Sequence, residues 1–389
     1  MTTSTHAEAS PLLGVYARAG PLFVGGDGCA LIAEDGTRYL DFTAGIGVNA
    51  LGYNHPVIRD ALIRALDSGL VHVSNLFHTE PAELLAAELT KTFPGQAFFC
   101  NSGAEANEGA FKFARKWSGK SGIVAFSGSF HGRLFASLAA TDRPDYRRPF
   151  EPLLAGVAII PLGDRQAARA AITADGTGAV IIEPVQGEGG VRTVDAAFLA
   201  FLRELCDERG VALIFDEVQC GLGRTGTMFA FEQAGVRPDI VTLAKPLAGG
   251  LPMGAILVTD RIAAALAPGD HATTFGGGPL VATVALDVCR TIGDERFLAG
   301  VQARGALLGN RLRDIARRSA RVREARGCGL IWGLELADGE TAAAVVAAAR
   351  ERQLLVLSAG PTVVRLLPPL VVSDGEIERG TAILSEVLQ

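Results

Sequence analysis

Through the middle of the chain, short apolar runs alternate with segments whose apolar residues recur every three or four positions. Gln96-Ala97-Phe98-Phe99-Cys100 precedes a helical pattern from Ala104 to Trp117, and strand-like runs follow at Ile123 to Phe126, Val157 to Pro161 and Ala179 to Val185. Phe198, Phe201, Leu202 and Leu205 then share one face of a helix whose other face carries Arg203, Glu204, Asp207 and Glu208, the pattern of an amphipathic helix packed on a sheet. Two further apolar runs, Val211 to Phe215 and Ile240 to Ala244, each end in a charged residue, Asp216 and Lys245. Strand and helix in repetition predict an α/β fold: a mostly parallel sheet with helices on both faces. Ligands bind such sheets beyond the carboxyl ends of the strands, and Asn101, Glu183, Asp216 and Lys245 stand at or just after those ends.

Both ends of the chain depart from this rhythm. Residues 20 to 41 read as a small β meander with a turn at Glu34-Asp35-Gly36, and residues from about 285 read as helix, short strands, helix, strand, helix. We therefore expect a large domain at 51–284 and a smaller α+β domain assembled from both termini, 1–50 and 285–389.

Composition narrows the function classes. The chain has 389 residues, 49% of them hydrophobic and 20% charged, which predicts an ordinary globular protein with large cores. Its net charge of −6 argues against a phosphate-backbone binder, so no nucleic-acid partner is expected. Cys29, Cys100, Cys206, Cys220, Cys289 and Cys328 are scattered without a C-x-x-C pair; they read as reduced, buried residues of a cytoplasmic protein, and no metal site is expected. Met1 to Ser10 lack the basic and apolar regions of a secretory signal. No uncharged apolar run reaches the roughly 18 residues a bilayer requires, so no membrane partner is expected.

The candidate chemistry begins with the two strand-end charges. A carboxylate beside an apolar interior requires a cationic or hydrogen-bonding partner, and a partly buried lysine is drawn toward neutrality and can form a Schiff base. A carboxylate that keeps a pyridine nitrogen charged, together with an imine-forming lysine, is the minimum equipment for pyridoxal phosphate chemistry. Either residue alone also reads as a loop cap or a solvated charge. Asn101-Ser102-Gly103-Ala104-Glu105-Ala106-Asn107 follows a strand and opens a helix, as an anion cradle does; Ser102 read alone is an N-cap. Gly119-Lys120-Ser121 mimics the end of a phosphate-binding loop, but the earlier glycine that motif requires is Ala114, which leaves a surface turn.

Four further segments carry groups of interest. In Ser129-Phe130-His131-Gly132-Arg133 the aromatic suits stacking on a flat heterocycle and Arg133 suits a carboxylate, while His131 reads as structural. Glu183-Pro184-Val185-Gln186-Gly187-Glu188-Gly189-Gly190 ends a buried strand in a glycine-rich loop that leaves room for a ligand. His271-Ala272-Thr273-Thr274-Phe275-Gly276-Gly277-Gly278 offers hydroxyls to a phosphate. Arg365, alone in Val363-Val364-Arg365-Leu366-Leu367-Pro368-Pro369-Leu370, needs an anion, either a structural partner or a substrate carboxylate.

Taken in order, these segments resemble the class III aminotransferases, the ω-type branch of the aspartate-aminotransferase-like fold. The likeness runs from Gly25-Gly26-Asp27-Gly28 and Tyr39-Leu40-Asp41-Phe42 through Gly52-Tyr53-Asn54-His55-Pro56 to Arg365. Within the branch, Ser74-Asn75-Leu76-Phe77 and the motifs around Ser102, Arg133 and Glu183 are similar to the acetylornithine subfamily. The resemblance implies a cytoplasmic homodimer that carries pyridoxal 5'-phosphate and serves arginine biosynthesis by moving the terminal amine of N-acetylornithine to 2-oxoglutarate. Lys245 would bond the cofactor and shuttle the proton, Asp216 would hold the pyridine nitrogen, and Gln219 would approach the ring hydroxyl. Phe130 and Val218 would flank the ring. Ser102, Gly103 and Ala104 would bind the phosphate, with Thr274 completing the cradle of the neighbouring subunit. Arg133 would hold the α-carboxylate of N-acetylornithine and Arg365 that of glutamate, with Glu183 neutralising Arg365 in the first half-reaction. Asn75 and Thr273 would lie on the substrate side.

The sequence departs from this pattern at Pro246, where the family continues with a small residue, and at Gly278, where it usually shows Asn. Pro246 is similar to a branch that also acts on carrier-linked lysine, so that substrate, N-succinylornithine or diaminopimelate types, and ornithine or other ω-amino acids remain alternatives. A non-catalytic binding protein on the same fold is a further one. Arg311, Arg313, Arg317, Arg318, Arg321, Arg323 and Arg326 would suit an acidic amino-group carrier protein; the plainer reading is a solvated helix face.

Overall fold

The computed structural model describes residues 11–389; the reading of Met1 to Ser10 lies outside the described residues. Its centre is a seven-stranded sheet in the order Gln96–Cys100, Gly254–Val258, Ile240–Leu243, Ala212–Asp216, Thr177–Ile182, Gly122–Phe126, Val157–Ile160. Only Gly254–Val258 runs against the others, so the sheet is mostly parallel, as the continuous apolar runs predict. Every residue of Thr177–Ile182, Ala212–Asp216, Ile240–Leu243 and Gly254–Val258 is buried.

The helices start and stop where local chemistry dictates. Asp195 accepts a hydrogen bond from the Ala197 amide at the start of Ala196–Arg209, and Gly210 ends that helix in the left-handed conformation. Phe198, Phe201, Leu202 and Leu205 are buried on its inner face. Gly119 likewise ends Gly103–Ser118 with a positive φ, and Lys120 Nζ donates to the carbonyls of Arg209 and Gly210. The look-alike phosphate loop is therefore a helix cap tied to a neighbouring helix end.

The chain ends meet. The meander Phe23–Asp27, Ala30–Ala33, Arg38–Asp41 is extended by Leu354–Leu355, which pairs in parallel with Arg38–Asp41. A second antiparallel sheet joins Val322–Cys328, Ile331–Leu336, Val363–Leu366 and Leu357–Ser358. A boundary at 285 falls inside helix Pro279–Ile292, which packs along Pro56–Asp67 and Glu80–Thr90. The break in regular structure comes about two turns later, at Gly293 and the N-cap Asp294 of Glu295–Arg318. Among the described residues no helix is long and apolar enough to cross a membrane.

Candidate active site

A cavity of 430 Å³ opens at the carboxyl ends of the central strands. It brings together Ser102, Gly103, Ala104, Phe130, Arg133, Glu183, Asp216, Val218, Gln219 and Lys245 from segments far apart in sequence. Val48 and the segment Gly250 to Met253 also line it, and no sequence motif pointed to them. Asn75, Thr273, Thr274 and Arg365 are not on its wall.

Asp216 ends the fully buried strand Ala212–Asp216 and is itself 3% exposed. Its Oδ2 accepts from Asn107 Nδ2 at 2.8 Å and lies 2.7 Å from His131 Nδ1, while its Oδ1 accepts from the Val218 amide at 3.0 Å. Thr242 in turn donates its hydroxyl to Asn107 Oδ1 at 2.7 Å, which orients the amide so that its nitrogen faces the carboxylate. Sequence reasoning took His131 for a structural residue and missed Asn107 and Thr242. The signal for Asn107 was its place one turn into the helix that opens on the cavity. Oδ1 keeps a lone pair with no side-chain donor, and His131 Nε2 is buried without a partner.

Lys245 follows strand Ile240–Leu243 in a left-handed backbone conformation, φ 40°. A non-glycine residue there carries about 1–3 kcal/mol of strain, a cost that concentrates at functional positions. Burial lowers its pKa below the usual lysine value, although Glu188 and Asp216 pull the other way.

Ser102 is the N-cap of Gly103–Ser118, its hydroxyl accepting from the Glu105 amide at 3.2 Å. The open amides of that helix start face the cavity, where the dipole favours an anion. A Cβ at Gly103 would stand 2.7 Å from Val218 Cγ1, so the cradle needs glycine.

The arginines are arranged differently from expectation. Arg133 is exposed at the rim, its guanidinium 3.5 Å from the Tyr146 ring centroid and 5.7 Å from that of Phe130, with no acidic partner among the described residues. Arg365 is 2% exposed, and its Nη1 donates to Glu188 Oε1 at 2.5 Å and to Gln219 Oε1 at 3.0 Å. Glu183 was expected to be the partner of Arg365 and is not. It accepts instead from the Phe130 amide at 3.1 Å, and burial, followed by the charge of Asp216, raises its pKa well above the ordinary value. The reason for the exchange is the loop. Glu183 ends its strand behind Phe130, whereas the glycine-rich turn after it brings Glu188 back over Arg365. A Cβ at Gly187 would lie 1.6 Å from Gln219 Oε1, so a larger residue there would displace the Gln219 amide. Burial acts to raise the Glu188 pKa, but the charge and hydrogen bond of Arg365 bring it below the usual value. Gln219 therefore contacts these two groups.

Asn75, Thr273 and Thr274 lie in and around an exposed loop. Asn75 Nδ2 donates to the carbonyls of Thr273 and Gly276 at 3.1 and 2.9 Å, and Asn101 Nδ2 donates to the Thr273 hydroxyl at 3.3 Å. Thr274 is exposed and points to no group of its own chain's cavity wall. In the arginine-rich stretch, Arg311 pairs with Glu378, Arg317 with Asp314, Arg321 with Glu340, Arg323 with Asp338 and Arg326 with Glu324 and Glu335, while Arg313 covers the Trp332 ring. Among the described residues no three His, Cys, Asp or Glu side chains cluster as metal ligands.

Residues 17–388 match the family model described as aminotransferase class-III. The chain is 46% identical to the acetylornithine aminotransferase of Gloeobacter violaceus over 393 residues, 99% of this chain and 97% of that one. Among solved structures, the N-acetylornithine aminotransferase from Stenotrophomonas maltophilia matches with a TM-score of 0.83 at 36% identity, covering 96% of each chain. The ornithine aminotransferase from Toxoplasma gondii matches with a TM-score of 0.92 at 29% identity, covering 97% of this chain and 92% of that one. A lysine and a carboxylate at adjacent strand ends, an anion-ready helix start and near full-length similarity converge on one assignment: the chain belongs to the class III aminotransferases.

Proposed function

We propose that this protein transfers the terminal amine of N-acetylornithine to 2-oxoglutarate, giving N-acetylglutamate semialdehyde and glutamate in arginine biosynthesis, with pyridoxal 5'-phosphate as cofactor. The observation that carries the reaction type is the placement of Lys245 and Asp216 on one cavity with the amides of Ser102, Gly103 and Ala104. The residues fit the cofactor: Oδ1 of Asp216 keeps a free lone pair for a ring nitrogen, and the helix start at Ser102, Gly103 and Ala104 lines the cavity where a phosphate would sit, with Gly103 packed tightly against Val218. When bound, pyridoxal phosphate supplies a conjugated sink for electrons released at the amine-bearing carbon.

The chain's own groups do the rest. Lys245 Nζ would bond the cofactor at rest and would move the proton during transfer. Asp216 would keep the ring nitrogen protonated, itself oriented by His131 and by the relay from Thr242 through Asn107. Phe130, whose amide donates to Glu183, and Val218 would stand against the ring. Arg133, free of any acid, grips the α-carboxylate of N-acetylornithine. Arg365 receives a carboxylate of glutamate or 2-oxoglutarate after the Glu188 side chain swings away, so Glu188 performs the masking expected of Glu183. The acetylornithine reading is favoured over ornithine by similarity: among solved structures, identity is 36% to the enzyme named for the former and 29% to the enzyme named for the latter.

The active unit is a homodimer. Leu70, Val71, Leu76, Phe77 and Phe275 are large apolar residues left exposed around the Thr274 loop, an arrangement that suits a subunit interface, and Thr274 would then complete the phosphate cradle of its neighbour. A cytoplasmic location is part of the same reading. The test of the substrate is a steady-state assay of glutamate formation with N-acetylornithine, N-succinylornithine and ornithine as donors. Acetylornithine is expected to give the highest kcat/KM; a preference for ornithine would refute the assignment.

A further inference from the structure

Among the described residues Glu188 alone lines both the active-site cavity and a second, polar cavity of 610 Å³. Its side chain faces the first through Arg365 and Gln219. Its main-chain carbonyl accepts from Arg143 Nη2 at 2.5 Å, and Arg143 Nη1 donates to the Asp142 carbonyl at 2.9 Å. Among the described residues Arg143 has no carboxylate partner, so its half-buried charge is spent on two main-chain oxygens. Asp142 is itself fixed, its Oδ2 accepting from the Gly128 amide at 2.8 Å. Two residues on, the Gly190 carbonyl accepts from Arg326 Nε at 2.8 Å. The Glu188 loop thus has rigid pins on its main chain, an open cavity beside it, and glycines at 187, 189 and 190 that would otherwise let it drift.

We propose that Arg143 is a positioning residue that sets substrate discrimination by anchoring the Glu188 main chain, so that masking and unmasking of Arg365 is a side-chain rotation rather than a loop movement. This rests on the exchange at Arg365 described above. With the anchor in place, Glu188 returns to Arg365 whenever no dicarboxylate occupies it, and glutamate must compete with that pairing. Without the anchor the loop shifts toward the second cavity, the pairing weakens, and Arg365 is left open to glutamate. Losing Arg143 therefore mimics, in part, losing the Glu188 charge.

The test compares kcat/KM for glutamate with that for N-acetylornithine in the cofactor-loaded enzyme carrying Arg143→Met, Arg143→Lys, Glu188→Gln or Arg143→Met with Glu188→Gln. A charged donor on a carbonyl is worth enough that Arg143→Met is expected to raise the glutamate-to-acetylornithine ratio about tenfold, chiefly through a lower KM for glutamate. Arg143→Lys, which keeps one donor, is expected to fall between wild type and Met. The double variant is expected to match Glu188→Gln alone, because the anchor acts only through Glu188. A ratio moved by Glu188→Gln but not by Arg143→Met, or effects that multiply in the double variant, would overturn the role of Arg143 alone. A ratio unmoved by Glu188→Gln would overturn the exchange at Arg365 and this proposal with it. Equal loss of kcat on both substrates in the Met and Lys variants would mark Arg143 as merely structural and also overturn it.

Discussion

Arg365 is buried on a strand of the C-terminal sheet. An arginine between valines and leucines must have an anion, and it has one in Glu188. Two glutamates flank the same glycine-rich loop, and strand-end logic selects Glu183. Which one reaches Arg365 depends on the path of the turn through Gly187, Gly189 and Gly190, and spacing does not encode that path. Asp216 and Lys245, whose positions follow from strand periodicity, were legible; the relay behind Asp216 was not, because Asn107 and Thr242 come from other elements. Thr242→Val removes the hydroxyl that orients Asn107 and leaves a buried acceptor unpaired, so it is expected to weaken pyridoxal phosphate binding by up to about tenfold in an equilibrium titration. Unchanged affinity would show that the relay does not hold Asp216. Glu217 offers a pH test. Burial raises its pKa from 4.5 to about 8, against the opposing bonds from the Ala230 and Phe231 amides. Between those values the folded chain keeps a proton that the unfolded chain has released, so this group's contribution to stability is present below the lower value and is lost as pH rises through the upper one. Glu217→Gln removes the charge and keeps an oxygen for only one of the two amides, a loss that is the same at every pH. The melting temperature of the variant relative to wild type is expected to climb from about pH 5 to about pH 8, and a constant difference would contradict the assignment.

At the scale of elements, the parallel strands and the two helices facing the site were legible because their signals are local: unbroken apolar runs, a three-to-four residue stripe, a serine cap and a glycine stop. The helix from Gly103 to Ser118 differs from the sequence reading by one residue at each end. The short hairpin of Val185–Gln186 with Arg192–Thr193 and the entry of Gly250 to Met253 into the cavity were not legible, since neither has a periodicity and both are placed by what surrounds them. The start of the Gly103 helix gives a direct test of the cradle. Gly103→Ala puts a methyl against Val218 and forces that side chain toward the ring space. Overpacking of this kind costs about 1–3 kcal/mol, so affinity for pyridoxal phosphate is expected to fall roughly five- to a hundredfold with the circular dichroism spectrum unchanged. Wild-type affinity would mean that Val218 does not stand against the ring.

For the whole molecule, the C-terminal sheet matters because one of its strands carries Arg365 to Glu188 and Gln219, two residues that line the cavity at the central sheet. The break of rhythm at both termini is the signal for a two-ended domain, and helix Pro279–Ile292 continues its apolar pattern across the expected boundary at 285. Association is the second property of this scale. Asp substitutions at Phe77 and Phe275 together, both exposed and apolar in the single chain, are expected to convert a dimer to monomers in sedimentation velocity and to release cofactor with it, whereas a dimer that survives would place the interface on another face. The central claim, that Lys245 and Asp216 form one transaminating site, is tested most directly by a single-turnover experiment on the pyridoxal-phosphate-loaded protein. Addition of N-acetylornithine is expected to bleach the visible cofactor band, 2-oxoglutarate to restore it, and Lys245→Ala to abolish both changes. A band that persists with N-acetylornithine, or a Lys245→Ala protein that cycles like wild type, would contradict the account.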